Sequence, residues 1–161
     1  MFTPFFLMHE LIKSKFNAVI KLNENKVLKQ ILDSTELQEE IIYLNTIDQL
    51  FEKGQDKLGR DLDSVGGGYS PFTIQIKQKK GQPYDRVTLK DTGDFYNSFH
   101  VVNQDTYIEI IANPIKNGKD INLEWGGYVI GLQPQNMKKI IDEIKIKYIQ
   151  IVRRAYRLEV L

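Results

Sequence analysis

The triplet Asp91-Thr92-Gly93 brings together the residue types with which each subunit of a retroviral-type aspartic protease supplies half of an active site. In that chemistry two carboxylates face each other across a dimer axis and share one proton, because like charges at that range cannot both ionise. Here the triplet runs on into Asp94-Phe95-Tyr96-Asn97-Ser98, a stretch with helical character. The competing reading is structural: Asp91 or Thr92 caps a two-turn helix over Gly93 to Phe99, and glycine permits the tight entry. Gly66-Gly67-Gly68 offers backbone amides to a phosphate, but no Gly-Lys-Ser/Thr follows and no apolar strand precedes it, so it reads as a hinge. His9 and His100 lack serine and carboxylate neighbours at the spacing of a triad. With no cysteine and two histidines, disulfides, thiolate sites and an imidazole-rich metal centre are excluded within one chain. The sequence therefore assigns no catalytic, cofactor-binding or metal-binding residue.

Charge offers a second kind of chemistry. Lys77, Lys79 and Lys80 form one basic cluster, and Lys138, Lys139, Lys145, Lys147, Arg153, Arg154 and Arg157 form another that outnumbers its acids, Asp142 and Glu143. Either could touch phosphate. Arg153, Arg154 and Arg157 also sit where cations compensate the dipole at a helix C-terminus. The whole chain of 161 residues carries 22 basic against 21 acidic residues, a net charge of +1, so any charge-based partner must be met locally. Apolar residues make up 42% and charged residues 27%, which suits a single compact domain and rules out global disorder. No apolar run of about 18 residues is present, so no membrane span or membrane partner is expected. The greasy Met1 to Met8 segment lacks the basic start and small-residue cleavage site of a signal peptide, and Thr3-Pro4 reads as a helix start.

The elements that must position these residues follow from periodicity. Phe5, Met8, Leu11, Ile12, Phe16, Val19 and Ile20 predict an amphipathic helix to about Leu22. After a shorter pattern through Val27, Leu28, Ile31 and Leu32, Thr35 and Gln38 have the spacing of a capping box. The helix they open carries Leu37, Ile41, Leu44, Ile47 and Phe51 on one stripe and frays over Gly54 to Gly59. Gly59 to Tyr69, with four glycines, reads as a mobile loop that orders against a partner. The alternation of Phe72, Ile74 and Ile76 favours a strand, with a helical turn led by Ser70-Pro71 as the rival, and Val87-Thr88-Leu89 reads as extended. His100 to Asn103 and Tyr107 to Ala112 form a hairpin, Ile121 to Gly126 a helical turn, and Tyr128 to Ile130 a further short strand.

The last element is the longest. Gln135 to Leu158 has no glycine or proline, and Met137, Ile140, Ile141, Ile144, Tyr148, Ile151, Val152, Ala155 and Leu158 form one broad apolar face. Ile146, Ile149 and Tyr156 lie off that face, so the apolar arc is far wider than the roughly 100° one core needs. The second stripe is assigned to a neighbouring subunit, with Trp125 and Tyr128 as further interface aromatics beside a glycine turn.

Taken in order, Val87-Thr88-Leu89-Lys90-Asp91-Thr92-Gly93-Asp94-Phe95-Tyr96-Asn97-Ser98-Phe99, the hairpin with Tyr107-Ile108-Glu109-Ile110, and Leu123-Glu124-Trp125-Gly126 resemble the tail-component and virion-morphogenesis proteins of tailed bacteriophages. Tyr69-Ser70-Pro71-Phe72-Thr73 is similar to the segment that precedes the Thr-Gly helix in that family, and the likeness spans Ile41 to Ile130. The resemblance implies an α+β fold in which long helices pack on a small antiparallel sheet, with a short Thr-Gly helix and a long C-terminal helix. It divides one domain, 1–161, into an N-terminal helical extension (1–34), a family-like core (35–134) and the C-terminal helix (135–161). It implies a structural virion protein without enzymatic activity or cofactor. Such a protein forms a homo-oligomeric ring at the head-to-tail junction or tail terminus, is assembled in the bacterial host cytoplasm, and meets portal, neck or tail proteins, with DNA in the ring lumen. The alternatives are a nucleic-acid-binding adaptor that uses the basic C-terminal helix, and the dimeric protease.

Overall fold

The computed structural model describes residues 23–104, 107–116 and 118–155, so the expected N-terminal helix, His9, Tyr156 and Arg157 lie outside the described residues. The first described helix, α1 (Glu24–Leu32), starts where Asn23 accepts a hydrogen bond from the Lys26 amide, and it buries Val27 and Ile31. Helix α2 (Thr35–Tyr43) follows from Ser34. The capping box does not form: Thr35 is already helical, and Gln38 Nε2 donates instead to the Leu32 carbonyl.

Helix α2 runs straight into a π-helix (Leu44–Lys53), and this changes which residues face inward. An α-helical stripe would have carried Ile47 and Phe51 into the core. Each i→i+5 turn holds more residues, so the buried positions shift to Asn45, Thr46, Gln49 and Leu50, and Ile47 and Phe51 are left half-buried. The helix stops sharply at Gly54 (φ 64°), where a Cβ would lie 2.9 Å from the Val87 carbonyl oxygen.

The glycine-rich segment is not a featureless loop. It contains α3 (Leu62–Gly66), whose Leu62 is fully buried. Asp56, also fully buried, receives the Leu58 and Arg60 amides and the Arg60 guanidinium, so polar side chains order a stretch that apolar content alone could not. Gly66 serves as a packing site rather than a hinge, because a Cβ there would lie 2.3 Å from the Trp125 ring.

The expected strand at Phe72 to Ile76 is instead α4 (Pro71–Lys79). Ser70 accepts from the Thr73 amide and Pro71 occupies the first turn, so the cap overrides the local alternation. Residues 87–89 pair with no strand. Side chains satisfy them: Asp63 takes the Val87 amide, Tyr69 Oη takes the Thr88 amide, and Tyr96 Oη donates to the Thr88 carbonyl. The Thr-Gly helix is shorter than expected, a single turn α5 (Asp94–Asn97) entered through Gly93.

The hairpin forms as expected: β1 (His100–Asn103) pairs antiparallel with β2 (Ile108–Ile111), His100 opposite Ile111. A second, two-residue ladder joins β3 (Ile115–Lys116) to β4 (Lys119–Asp120). Helix α6 (Ile121–Glu124) follows, then an irregular stretch where a strand over Tyr128 to Ile130 was expected, and finally α7 (Pro134–Ala155). The fold is α+β. Two apolar clusters hold it. The first gathers Leu50, Leu62, Val87, Phe95, Phe99 and Val129, and the second sets α1 and α2 against α7 through Ile31, Leu37, Ile41, Ile140, Ile144 and Tyr148.

A buried polar seam joins the π-helix to the segment leading into α7. Asn45 donates to the Val129 carbonyl and accepts from the Gly131 amide; Gln49, one turn on, donates to the Gly131 carbonyl and accepts from the Gln133 amide. Two side-chain amides thus do what a neighbouring strand would have done, which explains why no strand forms at Tyr128 to Ile130. Asn136, fully buried at the start of α7, adds bonds to Gln49 and Asp48.

Candidate functional site

The residues with the most chemistry collect around Asp91. Two cavities of about 350 and 360 Å³ lie on either side of it and share Leu89, Asp91, Lys116 and Ile121. One is closed by the Thr92 to Phe95 turn, the other by Tyr69, Phe72 and Ile76 from the α4 side. Leu89 between them is the one non-glycine residue with a positive φ (57°) among the described residues, a left-handed conformation that neighbours on both sides must hold in place.

Asp91 does not cap α5. The turn is entered through Gly93, and it is Thr92 whose hydroxyl donates to the Asp94 carboxylate. The Asp91 carboxylate bridges two cations instead, at 2.8 Å from Lys116 Nζ and 3.0 Å from Lys80 Nζ. Lys116 and then Lys80 hold its carboxyl down to about 2, against an ordinary value of 3.8.

Two further lysines complete the rim. Lys77 is buried, its ammonium lying over the Tyr69 ring and donating to the Lys90 carbonyl at 2.8 Å and to Gln82 Oε1 at 3.2 Å. The Lys90 ammonium sits 4.5 Å from the Phe51 ring centre and 5.6 Å from that of Tyr96. Two lysines thus share one carboxylate, and two more, Lys77 and Lys90, stand behind them with their ammoniums on aromatic rings. The aromatic rings under Lys77 and Lys90 soften the cost of gathering them, and burial pushes the Tyr96 hydroxyl up so that it stays a neutral donor.

The expected interface residues are not gathered in one place. On α7, Ile146 is 57% exposed and Ile149 48%, whereas Ile140, Ile144, Tyr148 and Ile151 face the second core. Trp125 is half-buried against the first core and covers Gly66, so much of its indole is already in use within the chain. Tyr128 is exposed, flanked by the Lys57 ammonium and the Arg60 guanidinium at 5.4 and 5.0 Å from its ring centre. The basic face of α7 is partly neutralised on its own helix: Lys138 and Lys145 pair with Asp142, and Lys147 with Glu143.

No family model, curated protein or solved structure matches this chain. The groove and the exposed isoleucines therefore carry the functional reading themselves. Sequence reasoning found Asp91, Lys77 and Lys80 but missed Lys90 and Lys116 as their companions. Lys116 lies 25 residues from Asp91, and no local pattern announces that contact. Among the described residues no set of three or more acidic or histidine side chains is arranged to hold a metal ion, and no helix is long and apolar enough to cross a membrane.

Proposed function

We propose that this protein is a structural component of a tailed-phage particle, acting as a multi-copy ring at the head-to-tail junction or tail terminus. The observation that carries the reading is the second apolar face of α7. Ile146 and Ile149 are about half exposed on the side turned away from the stripe that packs on α1 and α2. Each such side chain contributes about 1.5–3 kcal/mol when fully buried, and in a ring every subunit repeats the contact. The order of elements also supports it: a long helical stretch, a short Thr-Gly turn, a β-hairpin and a segment closed by glycine follow one another as the sequence resemblance implies.

The experiment is Ile146→Asp with Ile149→Asp, read by the solution mass and the circular dichroism spectrum. Wild type is expected as a closed multimer and the variant as a folded monomer with an unchanged spectrum. A wild type that stays monomeric at high concentration, or a variant that assembles normally, would remove the reading. Retention of duplex DNA by the monomer, weakening steeply with salt, would favour the nucleic-acid adaptor through Lys139, Arg153 and Arg154.

A further inference from the structure

A ring closes through two different surfaces of the same chain, each fitting the other on the next copy. Resting on the ring reading above, we propose that the acidic face of α2, which ends at Tyr43, docks into the lysine-rimmed groove beside Asp91 on the neighbouring copy.

The groove carries a surplus of positive charge. Lys80 and Lys116, with side chains 47% and 38% exposed, share the single carboxylate of Asp91, while the Lys77 and Lys90 ammoniums behind them are turned onto the chain's own carbonyl and aromatic groups. Its floor is apolar, from Tyr69, Ile76, Leu89 and Ile121, and Phe72 at its edge is 72% exposed. A partner that fits must bring negative charge and an aromatic or aliphatic anchor together. Bare phosphate would satisfy the lysines and leave the apolar floor wet, which argues for a protein surface over nucleic acid.

One surface of this chain has that composition. Glu36, Glu39, Glu40 and Tyr43 are spaced i, i+3, i+4 and i+7 on α2, which places them on one face opposite the buried Leu37 and Ile41. Tyr43 is 51% exposed at its C-terminal end. None of the three glutamates has an ion-pair partner among the described residues. Helix α2 packs on the second core, whereas the groove is lined by residues of the first. The fit is head to tail.

The test is a charge swap with rescue. Glu39→Lys/Glu40→Lys reverses the acidic face and Lys80→Glu/Lys116→Glu reverses the groove, with folding of each verified by circular dichroism. Each variant alone is expected to assemble about 100-fold more weakly than wild type or worse, because like charges then meet across the contact. An equimolar mixture is expected to recover multimers in which the two variants alternate. Should the groove variant fail to fold, Lys80→Gln/Lys116→Gln replaces it, and loss of assembly from a folded chain is the expected result. If wild type forms rings and either variant assembles alone as wild type does, the docking proposal is overturned while the ring reading stands. If both variants stay monomeric when mixed, it is overturned as well. If the groove variant loses binding to duplex DNA while its rings persist, nucleic acid is the occupant. A wild type that is monomeric throughout removes the ring reading and this contact with it.

Discussion

The seam beneath the π-helix and the groove around Asp91 are both polar, yet they balance their polar groups in opposite ways. In the seam, the donors and acceptors of Asn45 and Gln49 are met by the backbone of residues 129–133, and Asn136 Oδ1 is the one buried side-chain atom left without a partner among the described residues. In the groove, two exposed lysines share one carboxylate, and apolar surface lies open beside them. A polar site satisfied by its own chain fixes the chain's shape. One left with surplus charge beside apolar floor is open to another surface. Substitutions in the seam should therefore cost stability, and substitutions in the groove should cost association.

The largest effect is expected from Gln49→Ala. It strips partners from the Gly131 carbonyl and the Gln133 amide and leaves a buried void, so a loss of about 3 kcal/mol or more in urea unfolding is expected. A loss below about 1 kcal/mol would mean that water replaces the side chain, and the contrast with the groove would fail.

A smaller loss, about 1–3 kcal/mol, is expected for Gly66→Val, whose added carbons must displace the Trp125 ring. Trp125 is the chain's single tryptophan, so its fluorescence reports the displacement directly as a shift toward the emission of a wetter indole. An unchanged spectrum with unchanged stability would show that α3 yields instead.

Asp91→Asn is expected to change stability least, because exposed ion pairs contribute about 0–1 kcal/mol. Its signature is in the acid limb. The Asp91 carboxyl is held down to about 2 in the folded chain from 3.8, so its contribution is complete above 3.8 and fades as pH falls toward 2. The variant should lose that slope, and salt should reduce the slope in wild type. If the slope survives the substitution, other carboxylates produce it, and Asp48, lowered by Lys53 and Asn136 against the opposing effect of burial, is the next to test.

What the sequence revealed and what it hid follow the same division between local and distant. The β1–β2 hairpin and α7 were legible because their patterns repeat within a few residues of themselves. Phe72, Ile74 and Ile76 alternate like a strand, and only the Ser70-Pro71 start decides for a helix. The π-helix was not legible, since periodicity assumes a fixed number of residues per turn and Leu44–Lys53 departs from it. At the candidate site the structure replaces the expected cap at Asp91 with a bridge between two lysines. Those lysines, Lys80 and Lys116, lie 11 and 25 residues away, and a helix cap at Asp91 was the nearest local explanation.

The seam also has a consequence in time. Its bonds join positions 82 to 88 residues apart, so they close only after a long stretch of chain has been made. Until residues 129–133 leave the ribosome, Asn45 and Gln49 have no backbone to hold, and α2 with its π extension has one side unmatched. Local elements such as the hairpin can form early, whereas this closure waits on a long loop and sets a late step. A nascent chain stalled short of Val129 is expected to be protease-sensitive through Leu44–Lys53, and one extended past Ile140 to be resistant there.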